Sequence, residues 1–466
     1  MNETIAAVST AYGEGGIGIV RISGSRAEEI LSSLFCAPGA APANVDFPDK
    51  KMRYGLIRDP ASSETVDEVL AVLMKAPHTY TGEDVAEIQC HGSMVSLRKI
   101  LALALACGAR AAEPGEFTKR AFLSGRIDLA QADAVIDIIR AKTDEGFRSA
   151  VGRLRGNLSE RIGGLRDRLT DVLAKTTLHL DYPDEAEELL PGQASAAGKA
   201  IAEQVRTLKD EVRELADTAE TGMLVRDGIH VVIAGKPNVG KSSLMNALLR
   251  ENRAIVTEIP GTTRDTIEAW LNVDGIPVRL TDTAGIREAE SPIEQEGVKR
   301  TREELSRADL RLFLIDGSRP IDEKDFSLAG MQEIAPSALV ISKSDLKRAA
   351  EESLISKLFP GIPVIEVSSV TGEGIGALEG FIKEAVYGGR VKQSESLLIT
   401  STLHRDILIR CAEEMSLALD CLESGGALDF AEINIREGHR LLGEITGETV
   451  TDEILERVFS RFCVGK

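Results

Sequence analysis

Aromatic residues are scarce in this 466-residue chain, 4% with a single tryptophan, so its cores must rest on Leu, Ile, Val and Ala. Cysteine is also sparse: Cys36, Cys90, Cys107, Cys411, Cys421 and Cys463 are scattered and form no CxxC pair. That excludes a disulfide scaffold and a zinc knuckle and fits a reducing compartment. Long apolar runs are missing, so nothing reads as a membrane span. The start, Met1-Asn2-Glu3-Thr4, has neither the basic region nor the apolar stretch of a signal peptide. A cytoplasmic protein is expected. Positive charge is in deficit, with 55 Lys and Arg against 74 Asp and Glu and a formal net charge of −19. Uniform polyanion binding is thereby disfavoured, leaving room only for a local basic patch. The hydrophobic content of 43% and charged content of 28% are those of a globular chain. Its length suggests about three domains.

Residues 1–120 mix short β-like runs, Gly18–Ile22 and Val69–Leu73, with one helical run, Val95–Ala106, and predict an α+β domain. Ala37–Pro48, rich in Ala and Pro, reads as a surface loop. Residues 121–222 turn helical, with Leu154, Leu158, Ile162, Leu165, Leu169 and Leu173 recurring at threes and fours. Val205, Leu208, Val212 and Leu215 repeat the pattern, and the acidic stretch Asp181–Glu188 with Pro183 interrupts it. Residues 223–387 alternate strands and helices; Ile229–Ala234, Ile267–Val273, Val278–Thr281, Leu310–Ile315, Ala338–Ile341 and Val364–Val367 are the expected strands of a mostly parallel sheet. Helical periodicity returns over 388–466 with Leu403, Ile407, Leu408 and Cys411. The simplest arrangement is multidomain: an N-terminal α+β domain and a discontinuous helical domain into which an α/β domain is inserted.

The segment Gly235-Lys236-Pro237-Asn238-Val239-Gly240-Lys241-Ser242 matches GxxxxGK[ST] between an apolar strand and an amphipathic helix, Leu244–Leu249. Loop N–H groups at a helix N-terminus cradle phosphates. Lys241 is expected to reach the β- and γ-phosphates and Ser242 to ligate Mg²⁺, with Ser243 beside it. Asp282-Thr283-Ala284-Gly285 follows one hairpin later, where a carboxylate at a strand end can hold the Mg²⁺ water shell. Between them lies Gly261-Thr262-Thr263-Arg264-Asp265, where a threonine can complete the Mg²⁺ coordination. Ser342-Lys343-Ser344-Asp345 follows the strand Ala338–Ile341. Asp345 can accept both N1–H and the exocyclic amine of guanine, which adenine cannot offer; Lys343 would pack along the base. Ser368-Ser369-Val370 can reach the guanine O6 through a backbone N–H. These five elements resemble the guanine-nucleotide-binding fold, except that Ser342 stands where that family usually has Asn.

Ile286 occupies the position where signalling GTPases place a water-orienting glutamine, and it can neither donate nor accept. Another group must serve; Glu288, Glu290, Glu294 and Glu296 are all candidates, and the residues alone do not choose among them. Asn238 offers a neutral oxygen beside the phosphates, where a monovalent cation could supply positive charge, or it simply caps a turn.

The whole chain resembles the MnmE/TrmE family of tRNA-modifying GTPases. The resemblance rests on Thr4–Thr10, Gly13–Gly24, Tyr80-Thr81-Gly82-Glu83-Asp84 with Glu87 and His91-Gly92, Pro114–Leu123, Asp128–Ala134, Leu441–Gly447 and the final Cys463-Val464-Gly465-Lys466. It implies an N-terminal folate-binding and dimerising domain over 1–120. It implies a helical domain in two parts, 121–222 and 388–466, and an inserted P-loop GTPase domain over 223–387. The implied activity is K⁺-activated GTP hydrolysis. With an FAD-dependent partner, MnmG, in a heterotetramer or larger complex, it adds an aminomethyl or carboxymethylaminomethyl group to C5 of the wobble uridine (position 34) of certain tRNAs. The implied one-carbon donor is 5,10-methylene-tetrahydrofolate, with 5-formyl-tetrahydrofolate as its analogue. By the same resemblance Arg21, Glu87, Arg126 and Lys466 bind the folate: an arginine meets a carboxylate and Glu87 reads the pterin. Ser93 stands where the family often has Gly, and Ser124-Gly125-Arg126 where it usually has Asn-Gly-Lys. Asn238, Thr257, Ile259 and Thr262 would hold K⁺, Thr263 would join Ser242 on Mg²⁺, and Glu258, Pro260 and Gly261 complete that loop. Glu294 becomes the catalytic glutamate, and Cys463 a thiol able to attack an electrophilic carbon or the uracil ring. Arg148, Arg153, Arg155, Arg161, Arg166 and Arg168 form a basic helical stretch that either meets tRNA phosphates or is a solvated face. A ribosome-assembly G protein and a folate-dependent aminomethyltransferase with a regulatory G domain are the competing readings. The first of these would carry a KH-like RNA module, and no GXXG module is evident at the C-terminal end.

Overall fold

The structure, a computed structural model, describes residues 3–11, 13–37, 46–181, 194–251, 268–282, 303–321, 337–351, 353–355, 359–387, 399–424 and 428–466. Two compact units emerge. One gathers Met1–Ile136, Gly152–Leu208 and Glu413–Lys466; the other gathers Asp137–Val151 and Lys209–Ala412.

In the first unit a seven-stranded sheet has the order β3-β4-β5-β6-β2-β1-β7. Its strands are β1 Ile5–Val8, β2 Gly15–Ser23, β3 Phe35–Cys36, β4 Arg53–Arg58, β5 Thr65–Met74, β6 Val85–Gly92 and β7 Arg110–Ala111. All neighbours are antiparallel except β1 and β7. Alternation along β2 and β6 sends Val20, Ile22, Ala86 and Ile88 to one face. There they pack with Ile30, Leu31 and Leu34 of α1 (Ala27–Leu34) and Leu97 and Ile100 of α2 (Met94–Ala106). The opposite parity sends Arg21 and Glu87 to the other face, directly opposite each other in the β2–β6 register. Of the expected surface loop Ala37–Pro48, residues 38–45 lie outside the described residues, and the expectation is corrected at Phe47. That ring is fully buried and meets Phe35 edge-on at 5.1 Å, an aromatic anchor that the surrounding Ala and Pro obscure.

Helices α3 Glu116–Leu123 and α4 Leu129–Arg140 follow, and α5 is Asp144–Leu154. The long α6, Asn157–Asp181, buries Leu158, Ile162, Leu165, Leu169, Val172 and Thr176. The expected stripe ended on Leu173, but 3.6 residues per turn brings Val172 to the core and leaves Leu173 only partly covered. Pro183 and the rest of the acidic interruption after Asp181 lie outside the described residues. Helices α7 Ala194–Asp217 and α8 Ala219–Asp227 lead into the α/β part, and α7 buries Val205, Leu208 and Val212.

The second unit holds a six-stranded sheet with the order β13-β12-β11-β8-β10-β9. Its strands are β8 Ile229–Ala234, β9 Glu268–Val273, β10 Ile276–Asp282, β11 Leu310–Asp316, β12 Ala338–Ser342 and β13 Val364–Glu366. Only the β9–β10 hairpin is antiparallel, turning at Asp274-Gly275. Both faces are covered, so β8 and β12 are buried along their whole length. Helix α9, Lys241–Glu251, starts three residues before the expected Leu244, since the phosphate-loop lysine is already its first residue. Helix α10 is Ile375–Tyr387; α11 Thr402–Glu423, α12 Leu428–Thr446 and α13 Asp452–Phe459 close the chain. The chain is thus multidomain, with an N-terminal α+β domain, a helical domain in two sequence segments and an α/β domain between them. Among the described residues, no helix is long and apolar enough to cross a membrane.

Candidate functional site

In an open parallel sheet, ligands bind beyond the carboxyl ends of the strands where strand order reverses. Here β8 is that point, with β11 on one side and β10 on the other. Beyond β8 the chain turns through Gly235 so close to β11 that a Cβ would stand 2.4 Å from the Leu314 carbonyl oxygen. Asn238 holds a left-handed φ of +66° before α9 begins. Lys241 is 4% exposed, and its ammonium donates to the carbonyl oxygens of Gly235 (2.6 Å) and Lys236 (2.7 Å). Burial lowers its pKa, opposed by the charge of Asp282. The Ser242 hydroxyl donates to Asp282 Oδ2 at 2.8 Å, so the loop hydroxyl and the strand-end carboxylate meet. Two adjacent hard oxygen donors suit Mg²⁺.

At the base end, Ser342 is buried and its hydroxyl lies 2.6 Å from the Val239 carbonyl oxygen and 3.0 Å from that of Ile315. The departure from Asn therefore sits on a direct tie between the phosphate loop and the base-recognition strand. Lys343, with φ +59°, sends its ammonium to Asp316 Oδ2 at 2.6 Å. Burial alone would raise the Asp316 carboxyl; Lys343 and Ser318 outweigh it and hold it below the usual range. Asp345 accepts from the Ser368 hydroxyl at 2.6 Å, which orients the proposed guanine reader. The Val370 N–H points to the Ser368 hydroxyl oxygen at 3.3 Å, and Ser369 lies between them in the same turn. Ser344 donates its N–H to the Val367 carbonyl oxygen. Thr257, Glu258, Ile259, Pro260, Gly261, Thr262, Thr263, Thr283, Ala284, Gly285 and Glu294, with the alternatives Glu288, Glu290 and Glu296, lie outside the described residues.

A second cluster stands on the other sheet face of the first unit, where the Arg21 and Glu87 side chains are 16% and 17% exposed. Arg21 Nε donates to Glu87 Oε1 at 2.9 Å and Nη2 lies 2.8 Å from the same oxygen. The Arg21 guanidinium carbon is 5.7 Å from the ring centroids of both Tyr80 and Phe117. Arg126 stands 5.0 Å from the Tyr80 centroid and donates to the Tyr80 carbonyl oxygen at 2.8 Å. The last residues run onto this domain: Val464 bridges to Pro114, Gly115 donates to the Cys463 carbonyl oxygen, and the Ser9 hydroxyl donates to that of Gly465 at 3.1 Å. Gly465 has φ +94°, and a Cβ there would stand 2.1 Å from the Val8 carbonyl oxygen. This seats Lys466 within electrostatic reach of Arg21, Glu87 and Cys463. Its pKa is lowered by burial and then by Arg21, against the pull of Glu87 and Cys463. Cys463 itself is exposed. Beneath lies a polar network in which Arg120 joins Glu83 and Glu116, both at 2.9 Å.

Tyr80 was not singled out from the sequence as a site residue, although its block was; an aromatic beside Thr-Gly-Glu was the available signal. The basic helical stretch is narrower than its composition suggested. Arg153 is buried at 2% exposure and Arg166 is largely covered beside Glu448, whereas Arg148, itself paired with Glu145, and Arg155, Arg161 and Arg168 are exposed.

The family model for the MnmE helical domain matches residues 129–463, and that for the GTP-binding protein TrmE N-terminus matches residues 4–126. Similar proteins include the tRNA modification GTPase MnmE of Alkaliphilus oremlandii, 43% identical over all of both chains. Those of Clostridioides difficile (43%, all of both chains) and Geobacillus kaustophilus (44%, all of this chain and 99% of that one) are as similar. With that full-length match and a phosphate loop seated at the switch point of its sheet, the chain belongs to the MnmE (TrmE) family of tRNA-modifying GTPases and is a GTP hydrolase.

Proposed function

We propose that this GTPase works as a cytoplasmic homodimer with the FAD-dependent MnmG, in a heterotetramer or larger complex. It adds an aminomethyl or carboxymethylaminomethyl group to C5 of uridine 34 of certain tRNAs, taking the one-carbon unit from 5,10-methylene-tetrahydrofolate. The observation that carries this reading is the seating of Lys466 beside Arg21 and Glu87 by the chain's last residues. One carboxylate among three cations matches a reduced folate, whose pterin edge donates hydrogen bonds and whose tail is anionic.

In the nucleotide site, Lys241 meets the β- and γ-phosphates and loop N–H groups surround them. Ser242 and Thr263 hold Mg²⁺, while Asn238, Thr257, Ile259 and Thr262 hold K⁺. When bound, these cations supply positive charge opposite the charge that develops on the transferring phosphoryl group. Glu294 orients the attacking water where Ile286 cannot. Asp345, held by Ser368, selects guanine. Cys463 provides a thiol beside the folate cluster for the one-carbon chemistry. The exposed arginines of 148–168 offer phosphate contacts to tRNA. Nucleoside analysis of tRNA from cells lacking the gene tests the proposal: the wobble C5 modification should vanish and return with the intact gene. Unchanged wobble uridines would refute it.

A further inference from the structure

The four residues assigned to folate do not carry equal roles, and the geometry separates them. This inference rests on the folate reading above and goes on to say which residue takes which end of the ligand.

Arg21 and Glu87 are committed to each other. Both Arg21 contacts fall on Oε1, so Oε2 accepts neither, and the pair as a whole is neutral. A neutral pair that projects a carboxylate oxygen suits a ligand edge rich in N–H donors. Arg126 differs. It is exposed, and among the described residues it forms no ion pair. One N–H is used on the Tyr80 carbonyl oxygen and one guanidinium face is turned to the Tyr80 ring. The other donors of its planar fork remain, in the arrangement that matches a carboxylate.

Tyr80 is itself held firmly. Its hydroxyl pairs with Thr118 Oγ1 at 2.9 Å, and Thr118 is fully buried. Its ring packs on Ile5, Ala7, Ala112 and Phe117. The ring is therefore a fixed platform, and the long Arg126 side chain loses less freedom on binding than an unsupported arginine would.

We propose that Tyr80 is a positioning residue that presents Arg126 to the glutamate-tail carboxylates of a reduced folate, leaving Arg21 and Glu87 to the pterin edge. The test is calorimetric titration of the full-length protein with 5-formyl-tetrahydrofolate and with its tail diamide, in which both carboxylates are neutral amides. Wild type should bind the acid about tenfold more tightly than the diamide. Arg126→Gln should abolish that preference, and Tyr80→Leu should weaken acid binding about fivefold with diamide binding unchanged. Tyr80→Phe, which keeps the platform, should stay within about twofold of wild type. Arg21→Gln should weaken both ligands alike. If Tyr80→Leu weakened both ligands equally, or neither, the assignment would fall while the folate reading stood. If wild type bound neither ligand, the folate reading would fall and take this assignment with it.

Discussion

Removing one hydroxyl, in Ser342→Ala, should loosen the grip on guanine nucleotides. The Ser342 oxygen has a single proton and faces two buried carbonyl oxygens, Val239 at 2.6 Å and Ile315 at 3.0 Å. Only one can be served well, and the shorter contact favours Val239. Val239 stands two residues before Lys241, so this bond fixes the segment that must present its N–H groups to phosphate. Losing it costs one net hydrogen bond and leaves a buried acceptor unmet, about 1–3 kcal/mol. Part of that falls on the fold and part on re-ordering the loop when nucleotide binds. With about 1–1.4 kcal/mol reaching the binding step, the dissociation constant for GDP rises about five- to tenfold. Asparagine offers two N–H donors to the same two acceptors, so Ser342→Asn should tighten binding relative to wild type. Titration of each variant with a fluorescent GDP analogue, beside thermal unfolding, separates the effects. Unchanged GDP affinity in Ser342→Ala with a lowered Tm would show that the hydroxyl serves the fold alone and refute the coupling.

GTP hydrolysis should run at least about tenfold faster in KCl than in NaCl at equal ionic strength, and Asn238→Ala should flatten the difference; equal wild-type rates would remove the potassium role. Gly465→Val forces a side chain into the space 2.1 Å from the Val8 carbonyl oxygen and should displace Lys466, raising the dissociation constant for 5-formyl-tetrahydrofolate at least about tenfold. Unchanged affinity would dissociate the tail from the folate site. Burial pushes the Glu116 carboxyl up, but Arg110, the Glu113 N–H and Arg120 outweigh it and hold it below its ordinary value of 4.5. Its contribution to stability is therefore complete above about pH 4.5 and is lost as pH falls through the lower folded value. Wild type should lose Tm more steeply than Glu116→Gln on acidification from pH 5 to about 3, and parallel curves would contradict the pairing.

Strands of the α/β domain were most legible where an apolar run ends in a motif: Ile229–Ala234 before the phosphate loop, Ala338–Ser342 before Asp345. What composition concealed was the behaviour of single side chains. Phe47 sits among Ala and Pro in the sequence yet fills the core beside Phe35, because an aromatic ring carries a large apolar area to bury. Arg153 looked like one more arginine in a basic run, but the helix turns it inward. Tyr80 escaped because stacking by two arginines, one from β2 and one beyond α3, is a tertiary fact that no spacing encodes. The Arg21–Glu87 pair likewise depends on a β2–β6 register that joins residues far apart in the chain. The Ser342 tie appears only once two parallel strands set its hydroxyl against the phosphate loop.

The bond from Ser9 to Gly465 spans 456 positions of sequence. At a translation rate of about 5–20 residues per second, the N-terminal sheet waits on the order of 20–90 s for Lys466, the lysine of the proposed folate cluster. During that interval the sheet can already be folded while its pocket still lacks that cation. The proposed folate cluster is therefore complete only after Lys466 has been made, long after the strands that carry Arg21 and Glu87.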